Sequence, residues 1–145
     1  MRHSYRQLIS GLLLLAFSAM IWAADLEVTD ARLRLLPGDL PAAGYFSLSN
    51  TSGESVVLVG AESPAFERVT VHQSTQDKGM ASMEPVPHLE LAPGDAVEFA
   101  PGGYHLMLME RQSPLALGDE VTVTLVFKDG QRLPVMFQAV SPTAQ

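Results

Sequence analysis

Val121-Thr122-Val123-Thr124-Leu125-Val126-Phe127-Lys128 shows the clearest alternation of side chains in this 145-residue chain. Valine, leucine and phenylalanine fill the odd-numbered positions, and polar residues fill three of the four even-numbered ones. Successive side chains of a strand point to opposite faces of a sheet, so the stretch predicts a β-strand whose odd-numbered residues face the core. Asp129-Gly130 follows directly. Both residue types tolerate a positive φ, which predicts a two-residue hairpin turn.

Short apolar stretches between turn signals continue along the chain, and few of them have a helical period. This pattern is typical of an all-β domain, either a sandwich or a barrel. Pro93-Gly94 suits the centre of a type II turn, and Pro101-Gly102-Gly103 predicts a break before Tyr104. The predicted strands are Leu26–Leu35, Ala43–Asn50, Ser55–Gly60, Arg68–His72, Met83–Val86, Ala96–Ala100, His105–Met109, Glu120–Lys128 and Arg132–Ala139.

The first residues have the layout of a secretory signal peptide. Two arginines within the first six residues precede a mostly apolar run, Leu8–Ile21, which is followed by Trp22-Ala23-Ala24. We predict a signal peptide over residues 1–23 and a single domain over residues 24–145. The apolar run is too short to span a bilayer comfortably, so we expect no membrane span in the mature form. An uncleaved anchor is the alternative.

The charge of the chain argues against two classes of partner. Without the leader and its two arginines, seven basic residues face sixteen acidic ones, which gives a formal charge of −9. A surface this acidic repels nucleic acid and anionic lipid. It does not choose among other partners.

The chain has no cysteine. In an oxidising compartment, paired thiols tend to become disulfides and stop binding metal, whereas thioethers do not pair in this way. A site built from imidazole and thioether groups is soft and uncharged, and it favours copper(I) over zinc or calcium. A blue-copper electron-transfer site needs a cysteine and is excluded. No catalytic arrangement of residues is evident. Because the chain does contain acids and histidines, the expectation that the protein is not an enzyme rests partly on a family resemblance.

One candidate group lies in the stretch Tyr104-His105-Leu106-Met107-Leu108-Met109. On a strand, His105 and Met107 project from the same face with Cα atoms about 6.5–7 Å apart, and the two leucines point into the core. The preceding glycines place His105 at the start of this strand, beside a flexible turn. A purely structural strand would show the alternation but would not call for a histidine in line with two methionines.

The second candidate group is His72 together with Met83. If Val69 and Val71 face the core, His72 shares the opposite face with Thr70 and lies at a strand end, where the polar stretch 73–78 takes over. A ligand at such a rim can meet ligands from a neighbouring strand. Met83 follows the polar stretch.

Each of these residues also has a structural interpretation, since a lone methionine usually fills core space and a lone histidine is usually a surface or hydrogen-bonded residue. We interpret His88 as a surface-loop residue and Met136 as core. Met80 is ambiguous. Met109 shares the face of Met107, so a metal role remains open for it.

The spacing of these residues resembles the signature H(M)x10Mx21HxM of the periplasmic copper chaperones called PCu(A)C. Ten residues separate His72 from Met83, twenty-one separate Met83 from His105, and one separates His105 from Met107. The flanking sequence is similar as well, notably Ala43-Gly44-Tyr45-Phe46 and the glycine-rich turn before His105. Gln73 stands where the family has an optional methionine. Some relatives have a His/Met-rich tail, and because residues 141–145 contain neither residue type we expect no tail site of that kind.

The resemblance implies a single cupredoxin-like or immunoglobulin-like Greek-key β-sandwich with one exposed copper(I) site. His72, Met83, His105 and Met107 would be the ligands. It further implies delivery of copper in the periplasm to the copper centres of a haem–copper (cytochrome c) oxidase. Subunit II of that oxidase and thiol-reducing assembly factors would be the partners. Copper sequestration or resistance with the same ligands is the alternative, and a metal-free sandwich that binds another protein is a third possibility.

Overall fold

The computed structural model describes residues 25–143, which form ten β-strands and no helix. The predicted signal peptide lies outside these residues. The strands are β1 Leu26–Arg34, β2 Ala42–Asn50, β3 Val56–Ser63, β4 Phe66–Asp77, β5 Met80–Pro85, β6 Leu89–Leu91, β7 Ala96–Phe99, β8 Tyr104–Arg111, β9 Glu120–Phe127 and β10 Arg132–Val140. The all-β prediction is confirmed.

Eight of the strands form a closed barrel. They follow one another in the order β8-β7-β2-β1-β10-β9-β3-β4, and pairing of β4 with β8 closes the ring. The pairs β1–β10 and β7–β8 are parallel, and the other neighbours are antiparallel. The two remaining strands lie outside the ring, with β5 paired to β4 and β6 paired to β3.

The Greek-key sandwich that the resemblance implied is not confirmed. A sandwich has two sheets with unpaired edges between them, whereas here β3 hydrogen-bonds to β4 on one side of the barrel and β8 to β2 on the other. Closure leaves few open edges, and those that remain belong to the short or peripheral strands.

The barrel interior is filled by aromatic and aliphatic side chains. The odd-numbered residues of β9 are buried, as the alternation of that stretch predicts. Phe46 lies at the centre of the core, with its ring 4.3 Å from that of Phe99 and 5.7 Å from that of Phe137. Gly44 allows β2 to approach β8 closely, because a Cβ at this position would come within 3.1 Å of the Leu106 Cβ.

Glycines with a positive φ mark two of the turns that the sequence predicts. Gly94 has φ +82°, and the Asp95 amide donates to the Ala92 carbonyl, which confirms the predicted turn at Pro93-Gly94. The hairpin between β9 and β10 differs from the prediction, because Gly130 has a positive φ and Asp129 does not. The loop is longer than two residues, and Gly130 is the last residue of a four-residue turn, 127–130, which its amide closes by donating to the Phe127 carbonyl.

A long hairpin extends from one side of the barrel and carries part of the candidate site. It consists of β4 and β5, joined by Lys78-Gly79, both with positive φ (51° and 79°), as a two-residue hairpin of type I′ requires. The prediction that a strand ends at His72 is therefore wrong. Strand β4 continues to Asp77, and His72 lies in its middle. The strand prediction also missed β6.

Candidate metal site

The four candidate ligands project from the outer face of three adjacent strands, β5, β4 and β8. On β4, Val69 and Val71 are buried in the core, so Thr70, His72 and Ser74 point outward. On β8, Leu106 and Leu108 are buried in the same way, which turns His105 and Met107 outward. The predicted alternation of core-facing and outward-facing side chains is confirmed for both strands.

The register of the three strands places His72 at the centre of the group. It lies directly opposite His105 on β8, and Thr70, its neighbour on the same face, lies opposite Met107. On the other side, Ser74 lies opposite Met83 of β5. Both methionines are therefore diagonal neighbours of His72, a relation in which long side chains remain within reach of one another. We call these four residues the His/Met cluster.

The side chains of His72, Met83 and His105 lie close together. The Nδ1 atom of His72 lies 3.1 Å from the Sδ atom of Met83. The two imidazole rings have centroids 5.8 Å apart and stand nearly perpendicular, at 81°. The structure thus brings the two sequence motifs together on one face, although they are separated by more than twenty residues.

Hydrogen bonds to the protein orient both imidazoles. The Nε2 atom of His72 lies 3.2 Å from the Thr70 hydroxyl, and in the tautomer that donates this bond the Nδ1 lone pair faces Met83. The Nδ1 atom of His105 lies 3.3 Å from the Gly103 carbonyl oxygen, which can only accept, so Nδ1–H donates and Nε2 keeps its lone pair. Such second partners fix the tautomer of a metal-binding histidine.

Sequence reasoning missed both of these orienting groups. Thr70 and Gly103 each lie two residues before the histidine that they contact, so period-two spacing on a strand could have pointed to Thr70. The role of Gly103 could not be found in this way, because its carbonyl belongs to the turn that precedes β8.

A cleft of about 360 Å³ opens beside the cluster. Met83, His105 and Met107 line it together with Ser74 and residues from the β1–β2 and β7–β8 connections. His105 is only 6% exposed, whereas Met83 is 48% exposed. The His105 side of the cluster is therefore sheltered from solvent, and the Met83 side is open to it.

The electrostatics of the site favour neutral donors. Burial, and then the nearby His105, hold the pKa of His72 below its usual value of 6.5. Within residues 25–143, no group of three or more His, Asp or Glu side chains is placed to hold a metal ion. The candidate donors on this face are two imidazoles and two thioethers, which would make a soft donor set.

The other histidine and methionines lie apart from the cluster. His88 is exposed between β5 and β6, as predicted. Met80 is exposed near the tip of the β4–β5 hairpin. Met109 shares the face of Met107 but lies opposite Arg68, whose guanidinium is 3.7 Å from its sulfur. The prediction that Met136 is core is wrong, because it alternates with buried Val135 and Phe137 and is 53% exposed.

Comparison with protein families places nearly all of the described chain in one group. The family described as "Putative lipoprotein LpqE-like" matches residues 26–139. A protein of Leifsonia xyli subsp. xyli with the name "Putative lipoprotein" is 31% identical over 114 residues, which are 78% of this chain and 68% of the relative. An uncharacterized protein of Rickettsia prowazekii is 36% identical over 89 residues, 61% of this chain and 49% of the relative, so the chain spans about half of its length.

Solved structures of PCuAC domains share the fold. The apo PmoF2 PCuAC domain has a TM-score of 0.68 at 24% identity, over 83% of this chain and 93% of that domain. The solution structure of apo-DR1885 from Deinococcus radiodurans has a TM-score of 0.63 at 28% identity, over 97% of each chain. Its copper(I) form, CuI-DR1885, has a TM-score of 0.59 at 27% identity, over 87% and 82%. The chain thus shares the fold of PCuAC domains, which supports the family resemblance seen in its sequence.

Proposed function

This chain belongs to the LpqE-like family, and from that premise and the His/Met cluster we propose that it is a copper(I)-binding metallochaperone of the periplasm. His72, Met83, His105 and Met107 are the proposed ligands. Copper(I) is the cargo, and the protein holds it without carrying out a reaction on it. The copper(I) form of DR1885 supports the choice of metal.

The observation that carries the proposal is the convergence of two imidazoles and two thioethers on one solvent-accessible face. Nδ1 of His72 and the sulfur of Met83 lie 3.1 Å apart, and Met83, His105 and Met107 line the same cleft. His105 keeps its Nε2 lone pair while Nδ1 bonds to the Gly103 carbonyl, and His72 keeps its Nδ1 lone pair in the tautomer whose Nε2–H donates to Thr70. A neutral, soft donor set is the set that copper(I) prefers over harder dications.

The geometry also suits release of the ion. Half of the Met83 side chain is exposed, so an acceptor could approach copper(I) from that side and replace the ligands one at a time. All four donors are neutral at the pH where both histidines are unprotonated, so no carboxylate or thiolate has to be reprotonated on transfer. These features favour exchange over permanent storage.

We place the protein in the periplasm, exported by the predicted signal peptide over residues 1–23. The names of its family and of its Leifsonia relative, which contain the word lipoprotein, agree with a location outside the cytoplasm. The proposed destination of the copper is the copper centres of a haem–copper oxidase, reached through subunit II and thiol-reducing assembly factors.

Competition between the protein and a chromophoric copper(I) chelator tests the site directly. One tight equivalent is expected. Either His105→Ala or Met107→Ala should weaken binding by at least about tenfold, since losing one ligand of a small site costs more than about 1.4 kcal/mol. His88→Ala and Met136→Leu are the matched controls, since both side chains lie away from the cleft. Undiminished binding in both ligand variants would reject the assigned site.

A deletion strain separates delivery from sequestration. Loss of oxidase activity that added copper restores would support delivery. Sensitivity to copper with normal oxidase activity would instead assign the same site to protection of the periplasm.

A further inference from the structure

Two arginines on β1, of which Arg34 lies beside the His/Met cluster, form no ion pair within residues 25–143. Arg32 and Arg34, on the outer face of β1, both stack against Tyr45, with guanidinium carbons 5.6 and 5.2 Å from the ring centroid. Tyr45 is only 4% exposed although it lies on the outer face of β2, because these side chains cover it. The ion pairs found within residues 25–143 are Arg68–Glu110 and Arg132–Glu62, and neither includes these two arginines.

Arg34 belongs to the same cleft as three of the proposed copper ligands. It lines that cleft with Tyr45, Met83, His105 and Met107. In the sheet, Arg34 pairs with Ala43, and Ala43 pairs with Met107, so the arginine stands two strands away from the ligand. At the usual spacing of neighbouring strands, that separation is about 10 Å.

The charge of Arg34 is unusual for its surroundings. The chain carries sixteen acidic residues, yet none of the described residues that line the cleft is acidic. The Arg34 Nε atom is buried and has no hydrogen-bond partner. A guanidinium held against an aromatic ring is oriented in advance, so less side-chain entropy is lost when it forms an ion pair.

Most of the other residues that line the cleft are apolar, among them Leu36, Pro41 and Pro101, and Ser74 adds one hydroxyl. An apolar rim with one fixed cation next to a soft metal site fits a protein segment that carries a carboxylate near its own copper-binding group. Since an extended segment advances about 3.3 Å per residue, a separation of 10 Å corresponds to three residues.

We infer that the Arg34–Tyr45 pair is the docking point for an acidic segment of the protein that exchanges copper(I) with this one. The inference rests on the proposed function, because it assigns the partner of that same cleft. Arg34 acts by placing the partner's carboxylate, and it leaves the affinity for copper(I) unchanged.

Copper transfer to synthetic peptides tests the inference. Two acceptor peptides each contain a pair of cysteines and are identical except at one position. Three residues after the cysteines, one peptide has glutamate and the other has glutamine. Stopped-flow absorption of the copper(I)–thiolate product gives the transfer rate from the loaded protein. The glutamate peptide should react about threefold faster, the effect of one partly exposed ion pair, and added salt should reduce the difference.

Substitutions assign that difference to Arg34. In Arg34→Gln the two peptides should react at the same rate, while the chelator measures an unchanged copper(I) affinity. Arg132→Gln is the matched control, since Arg132 pairs with Glu62 and does not line the cleft; it should keep the threefold preference. Equal rates for the two peptides with the unsubstituted protein, or a preference that survives in Arg34→Gln, would overturn the inference.

A measurement without copper keeps this test separate from the proposed function. Serine versions of both peptides, which cannot bind copper, are titrated into the 15N-labelled apo protein. The Arg34 Nε–H resonance and the backbone amides of Ala43 and Met107 should shift with the glutamate peptide and not with the glutamine one. No shift would overturn the docking inference even if copper(I) binds, whereas a shift in a protein that binds no copper would refute the proposed function alone.

Discussion

At the scale of single residues, His72 determines the character of the site, because it faces His105 directly and both methionines diagonally. Its ring is held by the Thr70 hydroxyl at one nitrogen and faces the Met83 sulfur with the other. One nitrogen of the ring therefore bonds to the protein, and the other is left to face the thioether. A residue that only filled space on this face would need neither contact.

The lowered pKa of His72 predicts how copper(I) affinity changes with pH. A protonated imidazole has no lone pair for the metal, and thioethers do not titrate, so affinity falls as pH drops through the histidine pKa. Because burial and His105 lower the pKa of His72, the part of this loss due to His72 should occur below pH 6.5. NMR titration of the His72 ring and chelator competition from pH 8 to 5 measure the two effects.

The reference for that titration is a short unstructured peptide that contains one histidine. A pKa for His72 above that of the peptide would contradict the effect of burial. Affinity that stays constant down to pH 5 would show that the methionines alone hold the ion.

At the scale of elements, the β4–β5 hairpin holds the most exposed ligand. All six residues of β5 are exposed, and among the strands of residues 25–143 this strand pairs only with β4. The position of Met83 therefore depends on the hairpin register, which the two positive-φ residues of the Lys78-Gly79 turn fix.

Gly79→Ala tests this dependence. A β-carbon at φ +79° costs about 1–2 kcal/mol, which should fray the hairpin and weaken copper(I) binding by up to about tenfold while the barrel stays folded. Gly118→Ala is the matched control, since Gly118 has φ +89° in a turn that does not line the cleft. Equal copper(I) affinity in the two variants would contradict a role for the hairpin.

The elements also show what the sequence could and could not predict. Period-two patterns gave the faces of β8 and β9 correctly, because each of these strands has one face in the core. The same pattern could not give the end of β4, since residues 73–77 lie on a hairpin arm with few core contacts and are polar on both faces. Met136 was misassigned by residue type, although its position between Val135 and Phe137 already indicated the outer face.

For the candidate site, the sequence predicted which side chains share the outer face of β4 and of β8, but not where on the barrel that face lies. A rim position was expected for His72, and the residue lies on the outer wall instead. That difference arises from the pairing of β4 with both β5 and β8, which involves residues distant in sequence and leaves no local signal. Closure of the barrel through the β3–β4 pairing could not be predicted from the sequence for the same reason.

At the scale of the whole molecule, stability depends on the aromatic centre of the barrel. Phe46 is 1% exposed and contacts Phe99 and Phe137. Phe46→Ala should lower the free energy of unfolding by about 3–5 kcal/mol, measured by urea denaturation, because it removes a large side chain and leaves a cavity. Leu40→Ala, at a loop position 56% exposed, should change it by less than about 0.5 kcal/mol. Similar losses in both would contradict this assignment of the core.

Copper(I) binding should in turn stabilise the whole barrel. The proposed ligands come from β4, β5 and β8, and two of these strands close the ring, so the complete set exists only in the folded chain. At a free copper(I) concentration one hundred times Kd, linkage predicts about 2.7 kcal/mol of added stability and a rise in Tm on the order of 10 °C. Thermal unfolding without oxygen, followed by circular dichroism, measures this rise. In His105→Ala, copper(I) should raise Tm much less, and magnesium should have no effect on either protein. An equal rise in both proteins would mean that copper(I) stabilises the fold from a site other than the His/Met cluster.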